Sequence, residues 1–389
     1  MPIETIVHIS SDFPDSMVAE KTRSVRTLID GASDYRHIVY SLNRVNALSG
    51  IEMVDFAEDR IAVAYGAPPK GILLETALAA VAHRLHQNIV ARKLDVAAIH
   101  AHKFTVEGLI AIRIAQALGV PFVVNIWGDT DLRIVSVRRD LRARWAAIAD
   151  KASAIIVCAP WTIDKFAALV SLDRQKTVVL PSIIFHEQFR PSAPCGSNRF
   201  VTLFNLDAYR RKNFAALVDA IMTVARSRPD IRLDVFGSGS PKTLLAISRL
   251  IRKAGATEHV MLRGKISNDD FSAMLNQYVA FLMPTRRETF GMVFIEAIFA
   301  GLPVLHSKGW GIDGSFGQAQ IGYACQPDDQ ADIVRGIETL IRDEAALKAS
   351  ITQLESAGGL ALFKRDAILA GYQALLKRTI ETASAAHAP

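Results

Sequence analysis

Short apolar runs without alternation recur along the chain, and each is followed by a stretch in which apolar residues return every three or four positions. In the first half these runs predict strands at Thr5–His8, His37–Ser41, Val96–His100, Phe122–Ile126, Ala154–Val157 and Thr177–Leu180. Helical periodicity falls between them, at Ala19–Ile29, Leu73–Ile89, Val106–Leu118, Arg138–Ala149 and Thr162–Leu169. Strands that are apolar throughout and alternate with helices predict a parallel sheet covered on both sides. Ile51–Tyr65 reads as extended segments ahead of the long helix.

The rhythm breaks at 181–197, PSIIFHEQFRPSAPCGS, a stretch with no clear period and three of the fifteen prolines. That is the composition of a linker. Alternation then restarts, with strands at Phe200–Phe204, Arg232–Phe236, Val260–Leu262, Phe281–Met283 and Val304–His306. Helices at Phe214–Ser227, Lys242–Ala254, Asp269–Tyr278, Met292–Ala300 and Asp332–Arg342 follow each in turn. The expected architecture is α/β, with two doubly wound Rossmann-like domains facing each other across a cleft. The first spans 1–185, the linker 186–197 and the second 198–364. No fixed-period repeat suggests a solenoid. Ligands of open parallel sheets sit beyond the carboxyl ends of the strands, which directs attention to the residues after each strand.

Composition narrows the class. The length of 389 residues, at roughly 150 per domain, suits two domains. Half the residues are apolar and 22% are charged, which excludes disorder and low complexity. Cys158, Cys195 and Cys325 form neither a disulfide framework nor a metal-ligand spacing, so a cytosolic protein is expected. No apolar run approaches a membrane span, and MPIETIVHISSDFPD opens on a strand pattern rather than a signal peptide. The net charge of +6 is far from that of a nucleic-acid binder. It is unevenly spread: Arg133, Arg138, Arg139, Arg142 and Arg144 fall close together, opposed only by Asp140. That density predicts peripheral contact with an anionic membrane, or with the pyrophosphate of an acceptor, through Arg133–Arg144.

The most informative stretch runs from Pro284 to Val304. A strand ends at Met283, a polar turn carries Glu288, and a helix opens near Gly291, whose lack of a Cβ lets the chain turn. The first amides, from Thr289 through Phe290, Gly291 and Met292 to Val293, then form an anion site at the positive end of the helix dipole. Glu288 stands ahead of that site. Glu296 stands about one turn inside the helix among Val293, Phe294, Ile295, Ala297 and Ile298, where a carboxylate needs partners. Carboxylates at both ends and amides between suit a ligand with hydroxyls at both ends and phosphates in the middle, the pattern of a nucleotide sugar.

Two glutamates separated by seven residues, with Phe290-Gly291 between them and Glu296-Ala297 followed by Gly301-x-Pro303-Val304, resemble the donor-site signature of family 4 glycosyltransferases. Val235-Phe-Gly237-Ser-Gly239-Ser240 resembles that family's strand–GxG turn, and Val260-Met-Leu-Arg-Gly264-Lys265-Ile266 its next strand and nucleobase loop. The resemblance is good over Phe200–Asp343 and loose over the N-terminal half. It implies a retaining, metal-independent GT-B hexosyltransferase with no cofactor, its substrate a nucleotide diphosphate sugar. Glu296 inherits the ribose contact, Glu288 the transferred sugar, and the amides around Phe290–Met292 the donor sugar or phosphates. Lys212 matches the lysine that clamps the diphosphate, but Asp207 stands where the partner arginine is expected, leaving Arg210 or Arg211 to supply that charge.

The first half carries less. His100-x-His102 ends a strand. As a metal pair it lacks an evident third ligand, so one histidine holding a substrate hydroxyl and the other packed is the expectation. Trp127-Gly128-Asp129-Thr-Asp131 stands where the family has His-Gly-x-Asp; a tryptophan there stacks on a sugar or belongs to the core. Ser16-Met17 replaces the family's glycine pair, with Asp12, Ser16 and Lys21 as candidates and Ala19-Glu20-Lys21 opening the helix. GT-B enzymes send the last helix back onto the first domain, which predicts that role for 365–389. The acceptor is expected to be a saccharide or lipid-linked saccharide, in polysaccharide or glycolipid assembly at the inner face of a membrane, with no nucleic acid. Two alternatives stay open: a GT-B-shaped scaffold with impaired catalysis, and a sugar-nucleotide epimerase or hydrolase. The first βα turn lacks GxGxxG, which disfavours a nicotinamide dehydrogenase.

Overall fold

A computed structural model describes residues 3–18, 21–47, 49–68 and 71–386. The chain divides into two compact units. One is Met1–Cys158, Thr162–Ile183 and Asp366–Pro389; the other is Ala159–Trp161 and Ile184–Arg365. Residues 186–197, expected as a linker, count with the second unit: Arg190 N donates to Phe299 O at 2.8 Å, and Cys195 N to the Glu344 carboxylate at 2.9 Å.

The first unit holds β1 (Thr5–Ser10), α1 (Ser24–Gly31), β2 (Arg36–Val45), β3 (Glu52–Ala57), β4 (Arg60–Gly66), α2 (Leu74–Ala91), β5 (Val96–Ala101), α3 (Glu107–Leu118), β6 (Phe122–Ile126), α4 (Asp129–Val137), α5 (Arg142–Lys151), β7 (Ala154–Val157), α6 (Trp161–Ala167, its first residue in the second unit) and β8 (Thr177–Val179). Its strand order is β3-β4-β2-β1-β5-β6-β7-β8. The expectation of a parallel sheet needs one correction. The extended segments at 51–65 are the β3–β4 hairpin, and β3 runs antiparallel at the edge. A single helix at 138–149 was also expected. A 3₁₀ turn at Arg139–Leu141 instead separates α4 from α5, so Asp129 and Asp131 lie in the first turn of a helix rather than in a loop. The expected start of α1 at Ala19-Glu20 lies outside the described residues.

The second unit holds β9 (Arg199–Leu203), α7 (Phe214–Ala225), β10 (Arg232–Phe236), α8 (Pro241–Lys253), β11 (Val260–Gly264), α9 (Asn268–Met274), β12 (Ala280–Leu282), α10 (Met292–Phe299), β13 (Val304–Ser307), β14 (Gly322–Cys325), α11 (Gln330–Arg342) and α12 (Glu344–Ser356). The order β11-β10-β9-β12-β13-β14 is parallel throughout, the doubly wound order of a dinucleotide fold. The strands are apolar on both faces because helices cover both, as Val201, Val235, Phe281 and Leu305 show by complete burial. The strand order reverses between β9 and β12.

In the first unit the reversal lies between β1 and β5. The register sets His8 opposite His100 and His37 opposite Ile6. Side chains alternate along a strand, so His8, His37 and His100 share one face, and the α13 helix (Arg365–Ala386) packs on that face with α1. Ile6, Ala98, Ala32, Tyr372 and Leu376 form its apolar filling.

Candidate functional site

The second unit's switch point is built from the loops after β9 and β12. Lys212, in the β9–α7 loop, donates to Glu288 Oε2 of the β12–α10 loop. Both side chains are about nine-tenths buried. Backbone joins the loops as well: Arg286 N and Thr285 Oγ1 each donate to Arg211 O at 3.1 Å. Arg211 reaches the Arg287 carbonyl with Nη1 at 3.5 Å, on the loop that carries Glu288. Arg210 turns elsewhere, over the Tyr209 ring with its Nε on Tyr209 Oη at 3.1 Å.

Gly291 then takes φ +77. A Cβ there would lie 2.6 Å from the Phe294 ring and 3.1 Å from Glu288 Cγ, so glycine is required for the loop to pass this close to the glutamate before α10 begins. Thr289, Phe290, Met292 and Val293 bracket that turn, with Phe290 buried and the others half-buried. Inside the helix, Glu296 is buried, and Oε1 accepts the Phe185 amide at 3.1 Å. Burial pushes its carboxyl up to about 7. An acidic group held near neutrality with a single amide on one oxygen is well placed to accept hydroxyl donors.

Gly237 and Gly239 follow β10. A Cβ on Gly237, at φ +143, would fall 2.0 Å from Phe204 O, and its own amide donates to Gly264 O at 2.9 Å. The GxG turn therefore lies flat between the β9 and β11 ends. Lys265 and Ile266 continue from Gly264, the lysine exposed and the isoleucine half-buried.

The first unit's switch point is a network of buried polar groups. Ala32 O accepts from His37 Nε2 at 2.6 Å, His37 Nδ1 meets His8 Nε2 at 2.8 Å, and His8 Nδ1 meets His102 Nε2 at 3.1 Å. A carbonyl only accepts, so the neutral chain has one order. The proton sits on Nε2 of each ring, which leaves a lone pair at His102 Nδ1, an atom buried with no hydrogen-bond partner among the described residues. His100 is separate, between Tyr372 Oη at 2.7 Å and Asn125 Oδ1 at 2.8 Å. Burial lowers all four histidines, His100 to about 4, so they are neutral. Nearby, Glu107 Oε1 accepts Ser11 N at 2.6 Å and Ser11 Oγ at 2.8 Å, and burial pushes its carboxyl up to about 8. Lys103 Nζ donates to Asp12 at 2.7 Å.

Two family profiles cover most of the chain: the glycosyl transferase 4-like domain at residues 44–182 and glycosyl transferases group 1 at residues 186–354. The fold agrees. Sucrose-phosphate synthase from Thermosynechococcus elongatus superposes with a TM-score of 0.72 at 17% identity, over 97% of this chain and 100% of that one. This chain is a group 1 glycosyltransferase of the GT-B fold. Anabaena HepE, solved with UDP and glucose, superposes with a TM-score of 0.64 at 17% identity, over 98% of this chain and 99% of that one. Among curated relatives, the glycogen synthase of Mycobacterium tuberculosis is 28% identical over 130 residues, 33% of this chain. The match spans only about a third of that relative's length, 31%.

Against the group 1 pattern, the structure brings Lys212, Glu288, Arg211 and Gly291 together, with Glu296 one turn into the same helix. Arg210 stands apart. Asp207 is no cation substitute: it accepts from Thr243 Oγ1, Ser240 N and Ser240 Oγ, which ties the β9–α7 loop to Ser240, the N-cap of α8, beside the GxG turn. In the first unit, Asp131 accepts from Thr105 N at 3.0 Å, Thr105 Oγ1 at 2.7 Å and Trp127 N at 2.9 Å. These bonds staple the β5–α3 loop to the start of α4, a structural task beside the sugar contact expected of Asp131. Gly128, at φ +57, is the N-cap of α4; Asp129 is buried beside it and Trp127 is half-buried. Lys21 is likewise consumed, by Asp15 at 2.7 Å, while Ser16 is exposed. Burial opposes ionisation of Asp15, but the bonds from Lys21, Ser41 and Asn43 outweigh it and hold the carboxyl near 2.

The third histidine that the sequence left open is His8: ring nitrogens of His8, His100 and His102 lie within 4.8 Å of one another, a spacing that could hold a metal ion. Hydrogen bonds already occupy both nitrogens of His8 and of His100, and no carboxylate stands among the three. Trp161 and Glu107 were also missed. Trp161 Nε1 donates to Gly311 O at 2.9 Å and Thr289 O at 3.2 Å, steadying the Glu288 loop. It follows β7, so a scan of residues after each strand could have found it. Glu107 is a carboxylate opening an apolar helix, the same signal that pointed to Glu296.

Proposed function

We propose that the protein is a retaining glycosyltransferase that moves a hexose from a nucleotide diphosphate sugar to a saccharide or lipid-linked saccharide acceptor, without a metal. The observation that carries this reading is the buried Lys212–Glu288 pair at the switch point, beside the Gly291 turn and α10. Paired with each other, the two groups are held in place before a ligand arrives. A donor would then redistribute the pair, its diphosphate on Lys212, Arg211 and the amides around Gly291, its sugar hydroxyls on Glu288, its ribose on Glu296. Preorganised positive groups of this kind stabilise the charge that develops on a departing diphosphate. The acceptor hydroxyl attacks from the face the diphosphate leaves, which serves as base; no side chain is placed as a covalent nucleophile. HepE, a structural neighbour, binds UDP, which is consistent with a nucleotide donor. A lipid-linked acceptor would bring the enzyme to the cytoplasmic face of a membrane through Arg133–Arg144.

A second reading, a catalytically impaired scaffold, is favoured by one observation: Asp207 puts an anion where the family carries a cation. Thermal unfolding with UDP, GDP, ADP and CMP separates the two. A ligand at a hundred times its dissociation constant adds about 2.7 kcal/mol. Transferase function predicts that one diphosphate stabilises the wild type and not Glu296→Ala; stabilisation by none leaves the scaffold.

A further inference from the structure

Val137 is the most exposed large apolar side chain among the described residues, at 77%, and Ile72 and Leu73 are also well exposed, at 60% and 57%. These two segments, far apart in sequence, are joined: Arg138 Nη1 donates to Gly71 O at 2.7 Å. Leu73 is unusual in a second way. It stands at the N-cap of α2 in the left-handed conformation, φ +53, with no capping side chain. Asparagine or glycine would sit there at less cost, and asparagine would also cap the helix. Strain kept at an exposed aliphatic residue points to a use for that residue.

Arginines surround the apolar tip. Arg133 precedes Val137 by one helical turn on the same side of α4, and Arg139 follows it; both are exposed and neither has a carboxylate partner among the described residues. Asp140 holds Arg138 and Glu75 holds Arg144, so those acids leave the other arginines uncompensated. Aliphatic side chains at the tip of a cationic rim match the two layers of an anionic bilayer surface, acyl boundary and phosphate.

We propose that Ile72, Leu73 and Val137 enter the headgroup layer of an anionic phospholipid membrane while Arg133 and Arg139 contact lipid phosphates. This deepens the membrane part of the function proposed above. The test is co-sedimentation of the full chain with vesicles of phosphatidylcholine alone or mixed with phosphatidylglycerol. Wild type should bind only the mixed vesicles, and less as salt rises. Each of Arg133→Glu and Arg139→Glu should weaken binding about fivefold or more. Val137→Asp should weaken it also. Leu73→Asn is the sharpest variant: it should fold at least as stably as wild type yet bind vesicles more weakly. Nucleotide-induced stabilisation, read on the same samples, should be unchanged in all four variants. A lost nucleotide response in wild type would count against the transferase, whatever the vesicles show. Wild type that ignores mixed vesicles, or that binds both kinds alike, overturns the membrane proposal. So does unaltered binding by Leu73→Asn and Val137→Asp.

Discussion

The carboxyl edges of the two sheets both carry buried polar groups, but the groups are spent differently. In the first unit they answer one another: Asp15 takes five donors, Asp131 takes three, and the His37–His8–His102 chain ends at a single lone pair. In the second unit Glu288 and Lys212 have each other, and Glu296 has one backbone amide. A carboxylate already taken by three or more donors is structure first, whatever its residue type suggests, although Asn43 Oδ1, His102 Nδ1 and Glu107 Oε2 at the same edge are buried with no hydrogen-bond partner among the described residues. Groups held in place but under-saturated are where a ligand's hydroxyls and phosphates gain most, because a partner missing from a buried polar group costs free energy.

That contrast can be broken most directly at Lys212. Lys212→Ala should lower sugar transfer by about 10² to 10³, the scale for removing one preorganised electrostatic group, while Ser16→Ala in the first unit should change it little. Steady-state transfer assays on both variants decide. Equal losses would mean that the two edges share the chemistry.

Backbone rather than charge sets the next effect. Gly237→Ala places a Cβ 2.0 Å from Phe204 O at φ +143. It should cost on the order of 3 kcal/mol of stability in urea unfolding. An alanine tolerated within experimental error would mean that the GxG turn is looser than this geometry.

Acid should then separate the units. The four neutral histidines of the first unit have folded pKa values below 6.5, so the unfolded state binds more protons. The stability they allow is present above pH 6.5 and is lost as pH falls toward about 4. Among the described residues of the second unit, His306 is the buried histidine whose pKa burial lowers in the same way. Calorimetry from pH 7 downward should therefore show the first unit's transition falling faster. Parallel decline would remove the histidine chain as its cause.

The fold was largely legible, because uninterrupted apolar strands between helical periods have few other solutions. The departures have local causes. The β3–β4 edge hairpin has exposed residues that blur its alternation, and the 3₁₀ turn at Arg139–Leu141 interrupts a helix without a glycine or proline to mark it. The residues proposed for the donor side stood out in the sequence because a glutamate inside an apolar helix needs partners and a glycine ahead of it marks a turn. The first unit's edge was not. Whether Asp131 or Lys21 meets a ligand or a neighbour depends on which segments the sheet brings together: Thr105 reaches Asp131 from the β5–α3 loop, and Ser41 and Leu42 of β2 join Asp15 around Lys21. The histidine chain is likewise invisible until the register sets β2, with His37, and β5, with His102 just beyond its end, on either side of β1.

Glu296, the proposed ribose ligand, offers the most direct test of the donor site. The diphosphate that stabilises the protein should be titrated by calorimetry between pH 6 and 8, against wild type and Glu296→Gln. Only the ionised carboxylate accepts both hydroxyls, and its folded value is about 7. Wild-type affinity should therefore weaken as pH falls through 7 and level off above it, and the glutamine variant should bind more weakly without that dependence. A pH profile shared by wild type and variant, or equal affinities for both, would contradict the placement of the donor in the second unit.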